Sequence, residues 1–169
     1  SNPVAHYKLD ESSGIIASDS AGTNPGTLYS GATSCGNPPT AGCPTWTAGK
    51  INNALAFDGV NDYVDISSIS ATGGEYTFTA WINDAFSPGS FLFDSDTGPN
   101  RFIITTVGGN WGGVNGAISL FANGSVINLG AANSIPSGWA HIAVTLSASS
   151  NIATGYVNGI QTGSDAYTD

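Results

Sequence analysis

Alternation of apolar and polar residues with a period of two constrains the fold of this chain more than any other feature. In Tyr76–Asn83, one phase carries Tyr, Phe, Ala and Ile, and the other carries Thr, Thr, Trp and Asn. Residues 139–146 alternate in the same way, whereas no long window repeats apolar residues at helical spacing. Because Gly and Pro interrupt nearly every other stretch, the pattern predicts an antiparallel sandwich or barrel of short strands.

Two Asn-Gly dipeptides, Asn123-Gly124 and Asn158-Gly159, predict tight hairpins, since both central residues of a type I′ turn need positive φ. We find no internal repeat and no linker, so we expect a single domain over residues 1–169. Further strands are predicted at Val4–Leu9, Ala54–Phe57, Tyr63–Ile66, Phe91–Phe93, Arg101–Val107, Ala117–Phe121, Ser125–Leu129 and Thr154–Val157.

The charge balance excludes several classes of partner. Lys and Arg total 3 against 12 for Asp and Glu, which gives a formal net charge of −9. Three basic residues are too few to neutralise a phosphate backbone, so nucleic-acid binding is excluded. No apolar run approaches the length of about 18 residues that a membrane span needs, so we predict no membrane insertion.

Cys35 and Cys43 are the only cysteines, and they lie close together in a stretch rich in Gly and Pro. Two cysteines without nearby histidines make a poor zinc site. We therefore predict a disulfide between them. Because disulfides persist in oxidising compartments, the pair also predicts an extracellular or cell-surface location.

Four segments of the chain resemble sequence motifs of a known family and occur in the same order. They are Val4–Gly14 with Asp19–Gly22, Ala54–Val64 (ALAFDGVNDYV), Tyr76–Ile82 (YTFTAWI), and Trp139–Thr145 with Tyr156–Gly159 (WAHIAVT and YVNG). Together they resemble the laminin-G-like, concanavalin-A-like jelly-roll superfamily, in its bacterial LamG-like branch. The resemblance implies a two-sheet antiparallel jelly-roll sandwich and covers nearly the whole chain.

One departure from the family pattern affects the expected sheet edges. Family members continue after the YVNG hairpin into a closing strand, and nothing after Gly159 resembles that strand. We therefore expect a jelly roll that lacks its closing C-terminal strand and is a fragment of a longer protein. The edge beside Val4–Leu9 would then be open, and an open edge is a surface on which a protein partner can add a strand.

The resemblance also implies calcium, which many family members hold at the rim of the sandwich. Calcium takes several oxygen ligands from carboxylates, amides and carbonyls. Oxygen-rich loops supply Asp19, Asp58, Asn61 and Asp62 as candidate ligands. These are also ordinary turn residues whose side chains bond their own backbone, and that alternative stays open.

Two tryptophans outside the predicted strands are candidates for carbohydrate binding. Trp46 follows the cysteine loop, and Trp111 is flanked by glycines and has few apolar neighbours in sequence. Sugar rings stack on exposed aromatic rings, while Asn110 and Asp96 could bond their hydroxyls and Arg101 could hold a sugar carboxylate.

Alternatives to these sugar contacts stay open. Trp111 could fold back over the sheet, and Arg101 could form an ion pair with Asp94 or Asp96. The aromatic residues in predicted strands are expected to fill or flank the core, and the histidines are expected to be structural. These strand aromatics are Phe57, Phe78, Trp81 and Trp139.

The only glutamates, Glu11 and Glu75, lie in unrelated segments, whereas glycoside hydrolases use a close pair of carboxylates. The sequence therefore predicts no enzymatic activity. We expect a noncatalytic carbohydrate-binding or adhesion module of a secreted or surface-attached bacterial protein. The alternative is a structural subunit of an extracellular assembly such as a pilus, which would bind protein rather than glycan.

Overall fold

The computed structural model of the chain describes residues 2–66, 69, 74–83, 91–95, 101–106, 112–122 and 124–167. These residues form antiparallel strands, turns and bends, with no helix among them. They therefore include no helix of the length and apolar character needed to cross a membrane. The chain divides into two compact units, Ser1–Ala71 and Thr72–Asp169. The predicted all-β, antiparallel fold class is confirmed.

The first unit contains a four-stranded sheet and a separate two-stranded hairpin. Its strands are β1 (Ile16–Ala17), β2 (Gly26–Ser30), β3 (Thr33–Ser34), β4 (Thr45–Ala48), β5 (Asn53–Ala56) and β6 (Asp62–Ile66). Strand β2 lies at the centre of its sheet, because β1, β3 and β6 all pair with it. Strands β4 and β5 form the hairpin.

A small buried core holds the first unit together. Leu28 of β2 is fully buried and packs with Leu55 and the two cysteines. Cys35 and Cys43 form a disulfide, as predicted, which closes a loop with a sequence separation of 8. The bridge thus ties a loop without regular secondary structure to the core.

We expect the Cys35→Ser/Cys43→Ser double variant to lose about 2–3 kcal/mol of unfolding free energy, because a short crosslinked loop restricts the unfolded chain. Urea unfolding with and without a reducing agent measures this loss. The variant should be insensitive to the reductant, whereas the wild-type protein should fall to the level of the variant. Equal stability of the oxidised wild type and the variant would contradict the prediction.

The second unit contains two four-stranded sheets. Its strands are β7 (Glu75–Asn83), β8 (Phe93–Asp94), β9 (Phe102–Thr105), β10 (Ser119–Ala122), β11 (Ser125–Asn128), β12 (Trp139–Ser147), β13 (Ile152–Val157) and β14 (Ile160–Ala166). One sheet has the order β11-β10-β9-β8, and the other has the order β14-β13-β12-β7.

The two sheets of this unit share one hydrophobic core, as expected for a sandwich. Strand β12 contributes Ala140, Ile142, Val144 and Leu146 to that core, and each of them is almost fully buried. These residues face Ile104, Ile118, Leu120, Ile127 and Leu129 from the other sheet and its flanks. The predicted alternation of 139–146 therefore becomes an inward apolar face and an outward polar face.

The Asn158-Gly159 hairpin is confirmed. Strands β13 and β14 pair from Val157 opposite Ile160, and the two turn residues have φ values of 50° and 79°. Both values are positive, as a type I′ turn requires. Strands β10 and β11 also pair closely, with Ala122 opposite Ser125. Asn123, the first residue of that turn, lies outside the described residues.

The prediction of a strand at Val4–Leu9 is wrong. This segment makes a single bridge, between Tyr7 and Asp19, and the N–H of His6 donates to the Asp19 carboxylate rather than to a neighbouring strand. Leu9 has a φ of 57°, which lies outside the extended region. Because residues 4–9 form no strand, the open sheet edge that we expected beside them is not present there.

Candidate functional site

The outward side of the β14-β13-β12-β7 sheet carries the candidate site. Trp81 of β7 lies opposite His141 of β12, and Tyr156 of β13 lies opposite Ala143. We call this side the outer face. Its residues are Glu75, Thr77, Thr79, Trp81 and Asn83 of β7, Trp139, His141, Ala143, Thr145 and Ser147 of β12, Ile152, Thr154 and Tyr156 of β13, and Gln161, Ser164 and Ala166 of β14.

Four ring-bearing residues gather at one end of the outer face. Trp81 is 43% exposed, and its ring meets that of His141 at a centroid distance of 5.2 Å and an interplanar angle of 64°. Trp139 and Tyr156 are half-buried on the same face. Diagonal neighbours on adjacent strands lie about 7–8 Å apart, within reach of aromatic side chains. We call Trp81, Trp139, His141 and Tyr156 the aromatic row.

The predicted hairpin turn holds the centre of this row in place. The N–H of His141 donates to Oδ1 of Asn158 at 2.9 Å, and the N–H of Asn158 donates to the carbonyl of His141 at 2.7 Å. The side chain and the backbone of one turn residue thus both bond the strand at the position of the imidazole. The row is therefore built on paired strands and a fixed turn, which favours a preformed surface.

Hydroxyl groups fill the middle of the outer face, and a carboxylate stands at its far end. Oε1 of Glu75 accepts the N–H of Ser149 at 3.0 Å and the hydroxyl of Ser147 at 3.1 Å. The backbone N–H of Ser149, with the serine hydroxyls, lowers the pKa of Glu75 below its ordinary value. This carboxyl is therefore ionised at neutral pH and has no proton to give a leaving group.

The sequence-predicted sugar contacts lie elsewhere. Nε1 of Trp46 donates to the carbonyl of Gly14 at 2.9 Å, and its ring packs against the core of the first unit. Arg101 forms a two-point ion pair with Asp94, in which Nε lies 2.9 Å from Oδ1, and its guanidinium lies over the ring of Phe91. The ion-pair alternative for Arg101 is thus the arrangement present. Asp96, Asn110 and Trp111 lie outside the described residues.

The aromatic residues of the strands divide between core and surface. Phe78 packs inward against Phe93, as predicted. We expected the strand aromatics to fill or flank the core, but Trp81 is directed outward and Phe57 is 49% exposed, so neither of these two fills it. Trp81 stands in the phase of β7 that carries Thr77 and Thr79. Because Trp81 shares this phase of β7 with two threonines, the sequence already contained a signal that its side chain would be exposed.

Asp19, the first candidate metal ligand, organises its own loop. Oδ1 accepts the N–H groups of His6 and Ala21, and Oδ2 accepts that of Asn24. These bonds, that of His6 above all, lower the pKa of Asp19. Its carboxylate therefore joins the N-terminal segment to the loop that follows β1.

The second candidate loop, between β5 and β6, contains Asp58, Asn61 and Asp62. Oδ1 of Asp58 accepts the N–H of Val60, Oδ2 of Asp62 accepts the N–H of Asp58, and Oδ1 of Asn61 accepts the hydroxyl of Ser30. Oδ1 of Asp62 is buried and has no hydrogen-bond partner. Desolvation and the nearby charge of Asp58 raise the pKa of Asp62. Among the described residues, no group of three or more His, Cys, Asp or Glu side chains is arranged to hold a metal.

We expect Asp19→Asn to lower the thermal midpoint at neutral pH by several degrees. Because the folded pKa of Asp19 lies below the unfolded value, its contribution to stability is complete above about pH 4 and is lost as the pH falls through the folded pKa. The difference between the variant and the wild type should therefore shrink at about pH 3 or below.

Circular dichroism melts at both pH values measure this difference. Asp65→Asn is the control, because Asp65 lies exposed on β6. A gap between Asp19→Asn and the wild type that stays constant with pH would contradict the assignment.

Comparison with protein families identifies the fold. The family profile described as the concanavalin A-like lectin/glucanases superfamily matches residues 58–169, which is more than half of the chain. The chain belongs to this superfamily. The matched range begins at the loop before β6 and includes the whole outer face. No curated protein matches the sequence.

Two solved structures share the fold of this superfamily member. One is domain 4 of AbnA, a GH43 extracellular arabinanase from Geobacillus stearothermophilus, in complex with arabinotriose; it has a TM-score of 0.64 and 20% identity over 98% of this chain and 76% of that one. The other is an S-layer domain-containing protein from Clostridium thermocellum, with a TM-score of 0.55 and 24% identity over 96% of this chain and 72% of that one. At these identities the likeness shows the fold alone.

Proposed function

We propose that the chain is a noncatalytic carbohydrate-binding module and that the glycan lies on the outer face, against the aromatic row. The observation that carries this proposal is the exposed indole of Trp81, which lies opposite His141 and diagonal to Trp139 on a paired strand face. Binding sites for small polar molecules combine aromatic surface with a few placed polar groups. The outer face has both.

The chemistry of sugars fits this combination. A sugar ring presents C–H groups on its faces, which pack on aromatic rings, and hydroxyls at its edge, which exchange hydrogen bonds with polar side chains. Thr79 and Thr145 provide hydroxyls that both donate and accept, and Asn83 provides an amide that does the same.

Two further observations support an extracellular carbohydrate-binding role. The disulfide between Cys35 and Cys43 indicates an oxidising compartment. The structure of the arabinanase domain was solved with arabinotriose, and the other similar structure is that of an S-layer domain-containing protein. We propose that this chain likewise acts outside the cell, as an adhesion or targeting module.

The assignment as noncatalytic follows from the carboxylates. Glu75 is ionised and held by two serines, and Oε1 of Glu11 accepts the N–H of Ser18. Although burial opposes it, the bond from Ser18 lowers the pKa of Glu11 as well, so neither glutamate holds a proton at neutral pH. Cleavage of a glycosidic bond normally needs one protonated and one ionised carboxyl group about 5–10 Å apart. We therefore propose binding without hydrolysis.

The test is a glycan array followed by calorimetry, with arabino- and xylo-oligosaccharides as the first probes. We expect Trp81→Ala to weaken binding by about tenfold or more, since the lost ring contact would contribute at least about 1.4 kcal/mol. Phe57→Ala is the matched control, because Phe57 is an equally exposed aromatic residue on the first unit.

Two outcomes would contradict the proposal. One is a wild-type protein that binds no glycan on the array. The other is a Trp81→Ala variant that binds as tightly as the wild type. Concentration-dependent self-association without glycan binding would instead favour the structural role in an extracellular assembly.

We further propose that a calcium ion on this chain would be held by the loop of Asp58, Asn61 and Asp62. The buried Oδ1 of Asp62 has no hydrogen-bond partner, and Asp58 lies close enough to raise its pKa. A cation would neutralise this repulsion, whereas the oxygens of Asp19 already accept several backbone N–H groups.

We expect millimolar calcium to raise the thermal midpoint of the wild type and to leave Asp62→Asn unchanged, because a ligand that binds only the folded state stabilises it. Differential scanning fluorimetry with calcium or with a chelator measures this. Identical wild-type midpoints in calcium and chelator would overturn the calcium proposal and leave the glycan proposal intact.

A further inference from the structure

The aromatic row extends across strands rather than along one strand. Trp81 lies on β7, His141 opposite it on β12, and Tyr156 on β13 opposite Ala143, two residues further along β12. Neighbouring strands lie about 4.8 Å apart and successive residues about 3.4 Å apart. The Cα atoms of Trp81 and Tyr156 are therefore about 12 Å apart. A ligand that packs on both side chains where they leave the sheet therefore has to extend across three strands.

His141 and Ala143 of β12 lie between these two rings, His141 beside Trp81 and Ala143 beside Tyr156. Ala143 stands directly beside Tyr156 on one side and Thr79 on the other. Because a methyl group and a threonine are shorter than the neighbouring rings, they would leave a shallow depression beside Tyr156. Its hydroxyl-bearing neighbours, Thr145 and Thr154, pair with each other one step further along.

Two local features of the backbone fix the position of Tyr156: a register shift and a close approach at Gly155. The register between β13 and β14 shifts between Gly155 and Tyr156, and such bulges redirect the side chains beside them. A Cβ at Gly155 would lie 2.7 Å from the Cβ of Leu129, so only glycine lets the strand approach that segment so closely. Tyr156 therefore lies on a strand whose backbone packs closely against Leu129.

The charges of the outer face favour neutral glycans over acidic ones. Its one carboxylate, Glu75, lies six residues from Trp81 on β7, or about 20 Å along the strand. The face as described contains no Lys or Arg, and the chain carries a net charge of −9. A polyuronate would therefore meet repulsion from this net negative charge, and the face as described offers it no basic side chain.

We propose that the outer face binds a neutral, linear oligosaccharide of several residues that crosses the strands from Trp81 to Tyr156. This inference rests on the proposed function and defines its ligand. Trp81 forms a primary contact that any chain length uses. Tyr156 forms a secondary contact that only a longer chain reaches.

The test is calorimetry with a neutral series from the monosaccharide to the pentasaccharide, using arabino- or xylo-oligosaccharides, and with oligogalacturonate as the charged probe. For the wild type we expect affinity to rise by about tenfold or more between the shortest and longest chains. Tyr156→Leu should remove that rise. Trp81→Ala should weaken binding at every length.

Ile152→Ala is the matched control, since Ile152 lies exposed on the same face of β13 at its other end. A second variant, Ala143→Gln, fills the depression without replacing either ring and should also remove the gain with length. If Tyr156→Leu folds poorly, Ala143→Gln tests the same inference, with Ile152→Ala as its control.

The outcomes separate this inference from the proposed function. Affinity that is independent of length, or a gain with length that survives both Tyr156→Leu and Ala143→Gln, would overturn the inference while leaving a glycan site at Trp81. Oligogalacturonate binding as tightly as the neutral chain would also overturn it. Absence of binding at any length would overturn the proposed function itself.

Discussion

The packing of strand β12 is the interaction on which the second unit depends. Its alternate residues Ala140, Ile142 and Val144 are fully buried in the core shared with the facing sheet. The strand also pairs with β7 on one side and β13 on the other. Because side chains alternate strictly, burying one phase against the other sheet necessarily directs the opposite phase outward. The same register that forms the core therefore displays Trp139 and His141.

The proposed binding surface is consequently formed by paired strands rather than by a loop. Site residues that stand on paired strands are held by the ladder on both sides, and their orientation costs little further entropy when a ligand binds. The turn at Asn158 adds two hydrogen bonds to the strand at His141. A shallow surface of this kind favours extended ligands that make several modest contacts over compact ones that need enclosure.

The first unit is held together differently. Its core is small, with Leu28, Leu55 and the disulfide as the buried centre, and two of its strands are only two residues long. Small cores contribute little hydrophobic stabilisation, so covalent and side-chain-to-backbone links carry more of it. The disulfide and the carboxylate of Asp19 are such links. Because Asp19 has this structural role, an oxygen-rich loop in the sequence is by itself weak evidence for a metal site.

The sequence alone determined the all-β class, the disulfide and the hairpin at Asn158-Gly159, because each depends on short-range rules of alternation, turn geometry and loop closure. The superfamily came from the resemblance of four segments to a known family. The sequence also showed which phase of β7 contains Trp81, but not which phase is buried. That decision, and the grouping of Trp81, His141, Trp139 and Tyr156 on one face, came only from the tertiary structure. The reason is physical: periodicity specifies two faces of a strand, whereas the pairing of strands distant in sequence and the packing of a second sheet select the face that meets solvent. The same limit explains why Val4–Leu9 reads as a strand, since the bonds that prevent it come from Asp19, thirteen residues after His6.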